Sequence, residues 1–266
     1  MKFAIVRFGG SNCDLDVHHI LNDVVGVSTD LVWYKDSIED YDGVVIPGGF
    51  SYGDYLRAGA IAARTPIMNA ISRLAEAGKP VLGICNGFQI LVESGLLPGA
   101  LRTNEYPKFC CRWVNLRVEK TDTAFTSKFR KGEIVRMPIA HKEGNFFADD
   151  ATLRGMNSNR EIAFRYVDSD GDAVPDSNPN GSVANTAGVV NTSGTVLGMM
   201  PHPERASEAV LGSDDGLRIF ESMVEYADAS RDISVSTPKS MVKVSPGLKL
   251  LFSHTPNYQN QSASYH

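Results

Sequence analysis

The pentapeptide Gly83-Ile84-Cys85-Asn86-Gly87 sets a thiol between two glycines, directly after the apolar run Pro80-Val81-Leu82. A strand that turns sharply into a helix needs residues without side chains around its apex, and it lifts the apical side chain clear of the sheet. The amino terminus of the helix that follows favours a thiolate. The backbone N–H of Asn86 comes next, where an oxyanion would form. The chemistry this suits is nucleophilic attack by Cys85 on a carbonyl carbon. The plainer alternative is a buried structural cysteine.

A thiol nucleophile needs a base, and the chain has six histidines. His254 and His266 fall in a polar C-terminal stretch. His18 and His19 lie in the middle of a helical pattern and read as surface or half-buried residues. His141 and His202 remain, and His202 stands in Met200-Pro201-His202-Pro203-Glu204-Arg205 at the end of a strand-like run. Flanking prolines hold the backbone extended, and in extended backbone residues two apart point the same way. Glu204 is therefore expected beside His202, where it would orient and charge-stabilise the imidazole.

Metal and nucleotide readings fare worse. No Pro-Cys-x-x-Cys follows the His-x-Glu, as a zinc deaminase would require. In Asp168-Ser169-Asp170-Gly171-Asp172 the glycine comes too early for a calcium loop. Neither Gly-x-x-x-x-Gly-Lys-Ser/Thr nor Gly-x-Gly-x-x-Gly occurs, so the chain shows no recognised phosphate loop of its own.

Strand-like and helix-like segments alternate through the first half. Strands are expected at 3–8, 31–34, 43–47 and 80–84, and helices at 14–25, 61–77 and 87–94. That alternation implies an open α/β fold, a mostly parallel central sheet flanked by helices. In such sheets ligands bind at the carboxyl ends of the strands. Those ends are Phe8-Gly9-Gly10-Ser11, Pro47-Gly48-Gly49-Phe50 and Ile84-Cys85-Asn86-Gly87, each with glycine. The second half is more β-rich, with strands expected at 109–118, 134–138, 161–167, 183–190 and 195–200. A last amphipathic helix is expected over 213–229. Residues 1–230 then form one domain. Residues 231–266, rich in Ser and Thr and with Arg231, Lys239, Lys243 and Lys249 against Asp232, read as a flexible or partner-docking tail.

Of the 266 residues, 42% are apolar and 21% charged, enough to fill a core and too ordered in pattern for a disordered chain. A net charge of −5 gives no general attraction to nucleic acid. No run approaches the ~18 apolar residues of a membrane span. The first eight residues lack a signal-peptide cleavage site. Cys13, Cys85, Cys110 and Cys111 are not spaced as a disulfide framework, which points to a reducing cytoplasm.

The Cys85 pentapeptide continued by Phe88-Gln89, taken with His202-Pro203-Glu204, resembles the class I (triad) glutamine amidotransferases. Further stretches narrow the resemblance: Gly10-Ser11-Asn12-Cys13-Asp14, the thirteen residues from Pro47 to Gly59, Ile139-Ala140-His141-Lys142-Glu143-Gly144, and Asn180-Gly181-Ser182. Over residues 1–229 the chain is similar to the glutaminase subunits of phosphoribosylformylglycinamidine synthases. That resemblance implies a flavodoxin-like fold, with Cys85 as nucleophile, His202 as base and Glu204 as acid. It implies oxyanion donors at Gly49 and Asn86 and glutamine contacts from Gln89, His141 and Glu143. It also implies that the ammonia released from glutamine passes to a separate ATP-dependent synthetase subunit, with a small subunit bridging the two. ATP and magnesium would bind the synthetase, and this chain would carry no cofactor or metal. Lys142 departs from the family's His-Gly-Glu-Gly. A triad glutaminase serving another synthetase and a stand-alone cysteine hydrolase are the alternatives.

Overall fold

A computed structural model describes residues 1–236, and the sequence beyond Ser236 lies outside the described residues. Eleven strands and five α-helices alternate along it. The strands are β1 (Lys2–Arg7), β2 (Ser28–Trp33), β3 (Gly43–Ile46), β4 (Val81–Ile84), β5 (Ala100–Arg102), β6 (Cys110–Val118), β7 (Ile134–His141), β8 (Asn145–Phe147), β9 (Ile162–Val167), β10 (Thr186–Val190) and β11 (Val196–Met199). The helices are α1 (Asp14–His19), α2 (Ile67–Glu76), α3 (Asn86–Glu93), α4 (Asp150–Ser158) and α5 (Leu217–Ser236).

Nine strands form one sheet in the order β2-β1-β3-β4-β11-β10-β9-β6-β7, and β5 pairs with β8 apart from it. The pairings from β2 through β11 are parallel, and those from β11 through β7 are antiparallel. The open α/β sheet and β-rich second half expected from the sequence are both present. Strands β3 and β4 are buried along their whole length. Continuous apolar runs such as Val44-Val45-Ile46 are the pattern of strands covered on both faces.

The sheet brings the chemistry together by register. Strands β1, β3 and β4 are neighbours, so their glycine-rich carboxyl ends adjoin, and Ser11 bridges to Gly49. Ile84 of β4 pairs with Met199 of β11. The ladder continues one step further, with the Cys85 N–H donating to the Met199 carbonyl at 2.8 Å. Cys85 and the Met200-Pro201-His202 segment thus leave adjacent parallel strands at the same level. Strand β7 is last in the sheet order, yet its Pro138 carbonyl accepts the His202 N–H at 2.8 Å. The antiparallel half therefore curls back over the ends of the parallel half.

Several elements differ from the sequence expectation. The helix expected over 14–25 is α-helical only to His19 and continues as a π turn, Ile20–Val24. The run 61–77 splits at Thr65-Pro66 into a short 3-10 turn and α2, because proline disfavours helical backbone in the residue before it. The strand expected over 183–190 begins only at Thr186, after a 3-10 turn. Helix α4 and the β5–β8 pair were not expected. The last helix starts at Leu217 and runs through Ser236, past Ala229, with Arg231 3.6 Å from Asp42. It thus takes in the first residues of the expected tail, whose remainder lies outside the described residues.

The elbow rests on backbone contact. A methyl group on Gly87 would fall inside the Ile46 carbonyl oxygen, and one on Gly83 would sit 2.7 Å from the Gly87 carbonyl carbon. Helix α3 can lie this close to β3 and β4 only with glycine at both places. Gly87→Ala is therefore expected to destabilise the chain by about 3 kcal/mol, the upper end of ordinary overpacking. The midpoint of urea unfolding measures it, and an unchanged midpoint would contradict this packing.

Candidate active site

Cys85 occupies the apex between β4 and α3 with φ 51° and ψ −103°. A non-glycine residue held at positive φ is strained, and such strain persists only where the surroundings enforce it. Its thiol lies 3.7 Å from the Ala140 carbonyl on β7. Asn86, first residue of α3, has no intrahelical acceptor for its N–H. Its side chain is engaged on both sides: Oδ1 accepts from the Ser51 N–H at 3.1 Å, and Nδ2 donates to Gln89 Oε1 at 2.8 Å. Gln89 Nε2 in turn donates to the Glu143 carbonyl at 2.5 Å. One chain of hydrogen bonds therefore links the loop after β3, the elbow and the loop after β7.

The second oxyanion candidate is set by a different pair. The Asn12 and Cys13 N–H groups both donate to the Gly48 carbonyl, at 3.0 and 3.1 Å. In a trans peptide the N–H points opposite to the carbonyl. The Gly49 N–H is thus turned away from α1, and it has no acceptor among the described residues. Gly49 has φ 152°, and a side chain there would collide with the Gly10 and Asn12 backbone.

His202 and Glu204 are buried, each 2% exposed. The His202 Nδ1 lies 2.6 Å from Glu204 Oε1, while Nε2 has no hydrogen-bond partner among the described residues. The local geometry is not the extended pair that the sequence suggests. His202 is extended (φ −103°, ψ 91°), but Glu204 belongs to a 3-10 turn, Pro203–Ala206, that swings its carboxylate under the ring. Burial alone would push the imidazole's pKa down. The neighbouring Glu204 carboxylate, with Cys85 next, overrides this and holds it well above the usual value. The raised pKa favours the imidazolium, and Nε2 is the ring nitrogen left to donate a proton. Gly48 leaves room for this pair, since a methyl group there would stand 2.9 Å from His202 Cε1 and 3.5 Å from Cys85 Cβ.

These groups line a cleft of about 580 Å³, with Gly49, Cys85, Gln89, His141, Glu143 and His202 in its wall. The cleft thus gathers every expected site residue except Asn86, which sits just behind Cys85, and Glu204, which lies behind the His202 ring. Lys142 is exposed and its backbone needs no glycine, having no positive φ. Gly144 is the glycine that matters, because the His141 ring lies directly over it. His18 bonds Thr29, and His19 bridges Asp23 and Glu208, so both are structural, as their positions suggested.

The sequence assigns no role at the site to four other residues, although Cys13, Asp54 and Arg205 lie in stretches quoted above. Asn104 ties down the loop that carries His141 and Glu143. Asp54 lines the cleft with a buried Oδ1 that has no hydrogen-bond partner among the described residues; burial, helped by Glu143, raises its pKa to about 6. Cys13 lies 4.0 Å from His202 Nδ1, and Arg205 Nη2 lies 3.1 Å from the same sulfur. Cys13, His202 and Glu204 would offer a metal three ligand atoms within 4.8 Å of one another. The Arg205 guanidinium already supplies a positive charge there, and Glu204 already engages the imidazole.

Residues 1–227 match the family model described as CobB/CobQ-like glutamine amidotransferase domain, and the chain belongs to that family. It is similar to phosphoribosylformylglycinamidine synthase subunit PurQ of Methanosarcina barkeri, at 66% identity over 85% of this chain and 98% of that one. The same subunit of Pyrococcus furiosus is 58% identical with the same coverage. Among solved structures, a chain of PurLQS from Thermotoga maritima is 46% identical, with a TM-score of 0.75 over 85% of this chain and 98% of that one.

Two expectations follow from the geometry. Glu204→Gln removes the first charge that offsets burial, so the pKa of His202, held above the usual value in the native chain, should fall in the variant. A histidine NMR titration reads the shift, and an unmoved pKa would show that Glu204 does not govern the base. Cys85→Ser should abolish thiol-dependent turnover with the fold kept, whereas Cys13→Ala should retain at least a tenth of it, as expected for a neighbour outside the reacting atoms. Equal loss in both variants would contradict this assignment.

Proposed function

We infer that this chain is the glutaminase subunit of a phosphoribosylformylglycinamidine synthase in purine biosynthesis. The observation that carries this is the strained Cys85 apex beside the buried His202–Glu204 pair. Cys85 attacks the side-chain amide carbon of glutamine. The oxyanion that forms takes the Gly49 and Asn86 N–H groups. His202, through Nε2, gives its proton to the departing nitrogen, releasing ammonia and leaving a γ-glutamyl thioester on Cys85. The now neutral imidazole draws a proton from water, which opens the thioester to glutamate and restores the thiolate–imidazolium pair. Each oxyanion donor is worth about 10²–10³ in turnover.

The ammonia is then used by an ATP-dependent synthetase subunit to convert formylglycinamide ribonucleotide to the amidine, with a small subunit bridging the two. ATP and magnesium are assigned to that synthetase, and this chain works through its own side chains. A cytoplasmic setting suits the four free thiols. Among the described residues no helix is long and apolar enough to cross a membrane.

A docking role for the loop after β3 is favoured by its surface. Phe50, Tyr55 and Leu56 are 54%, 74% and 85% exposed, beside a cleft lined by Phe50 and Phe109. Apolar side chains gathered at a cleft mouth mark a site covered by a partner, which a stand-alone hydrolase would not need. Tyr52, Asp54 and Leu56 hold positive φ there, a conformation a partner would stabilise.

The test is glutamate release from glutamine, with and without the synthetase partner. The partner should raise the rate, and Tyr55→Ser with Leu56→Ser should remove most of the rise while leaving the slow basal rate. Full turnover by the free chain, unchanged by partner, would contradict the docking role. No glutamine turnover under either condition would contradict the function.

A further inference from the structure

The Glu204 side chain is wholly buried, and its two oxygens are unequally served. Oε1 meets His202 Nδ1, while Oε2 has no hydrogen-bond partner among the described residues. One step of the reaction strains this arrangement. When His202 passes its proton to the departing nitrogen, the carboxylate loses the cation that faces it. A buried charge without a counter-charge is costly, and a carboxylate so placed takes up a proton instead. Glu204 could then no longer accept from Nδ1–H and hold the ring.

Other titratable groups reach the pair from three sides. Cys85 faces His202 from the elbow. His141, at the end of β7, stays neutral, because burial first, and the charge of His202 second, push its pKa down to about 3. Cys13, at the start of α1, is 2% exposed, and burial pushes its thiol pKa up. Among the described residues, that leaves Arg205 as the cation besides His202 within ion-pair reach of Glu204, with Nε 4.0 Å from Oε1. A guanidinium keeps its proton at every working pH.

Arg205 is half-exposed in the cleft wall, yet it is pinned from α1. Its Nη2 donates to Cys13 Sγ at 3.1 Å, and its Nε lies 3.5 Å from Asp16 Oδ2. Cys13 caps α1 and Asp16 stands in the first turn, so one short helix supplies both contacts. Cys13 is itself fixed, its N–H donating to the Gly48 carbonyl at 3.1 Å. A neutral sulfur accepts the guanidinium N–H without cancelling its charge.

We propose that Arg205, pinned by Cys13 and Asp16, is the fixed counter-charge that keeps Glu204 ionised while His202 gives up its proton and takes it back. Arg205 is then a positioning residue, acting on the reaction only through the buried pair. The inference rests on the glutaminase reading. The same positive charge opposes the imidazolium and so tempers the hold of Glu204 on its proton. A general acid works best when that hold matches the working pH.

The test uses the full chain assembled with its synthetase partner in three forms: native, Arg205→Lys and Arg205→Gln. The readout is the pH profile of kcat/KM for glutamine. Removing a positive charge favours the protonated forms of Glu204 and His202 alike, so both limbs should move to higher pH in Arg205→Gln. Its plateau should fall about tenfold, the mark of a poorer proton donor. Arg205→Lys keeps the charge without the planar fork, and should stay within about threefold of native with both limbs in place. A lowered plateau with unmoved limbs, a lysine variant no better than the glutamine one, or a change confined to KM would each overturn the proposal. A second measurement needs no variant. In the native chain alkylated at Cys85 by a glutamine analogue, carboxyl carbon NMR should show Glu204 ionised on both sides of the His202 titration. A carboxyl that gains a proton as the imidazole loses its own would overturn the proposal even if the variants fail to fold. Absence of glutamine turnover in the native complex would instead overturn the glutaminase reading beneath it.

Discussion

The site depends on one backbone constraint, the positive φ of Cys85. That conformation turns β4 into α3 within a single residue. It survives because Gly83 and Gly87 let the helix start against the Ile46 carbonyl and the backbone of its own strand. Strain of this kind costs about 1–3 kcal/mol. The buried strands on either side offset it, and the result is a thiol lifted off the sheet with a helix amino terminus behind it.

The parallel pairing of β4 with β11 converts that local turn into a site. The base need not be near the nucleophile in sequence, because adjacent parallel strands end at the same level. The 3-10 turn after His202 then places a carboxylate under the ring, and burial makes their interaction strong by excluding water. The antiparallel half contributes by curling over the cleft. Its Pro138 and Ala140 carbonyls hold the His202 backbone and face the Cys85 thiol. The hydrogen bonds from Ser51 through Asn86 and Gln89 to Glu143 join the loop after β3 with the elbow itself. A shift at Ser51 therefore has a physical route to Asn86, the residue after Cys85.

Much of this was legible in the sequence where the signal was local. The glycine spacing around Cys85 and the His202-Pro203-Glu204 tripeptide each announce their own geometry, although the second is a turn and not an extended pair. The split in the 61–77 run was also readable, since Pro66 stands inside it. Helix α4 carried a cap signal, with Asp149 accepting from the Thr152 N–H, but its weak apolar face hid it. Asn104 left no such trace, and Asp54 stands in the Pro47–Gly59 stretch with nothing local to mark its place in the cleft. Asn104 meets His141 at a separation of 37 positions in the chain, and Asp54 faces Glu143 only because two loops converge. Contacts of that range are set by how the sheet curls, which no short stretch of sequence encodes.

The central claim is that Cys85, and no other thiol, is the nucleophile toward glutamine. A glutamine analogue with a diazoketone in place of the carboxamide tests it directly, by peptide mass spectrometry of the labelled complex. The account predicts one label per chain, on Cys85, suppressed by excess glutamine and greatly slowed in His202→Ala. A label on Cys13, Cys110 or Cys111, or labelling of Cys85 that glutamine does not suppress, would contradict it.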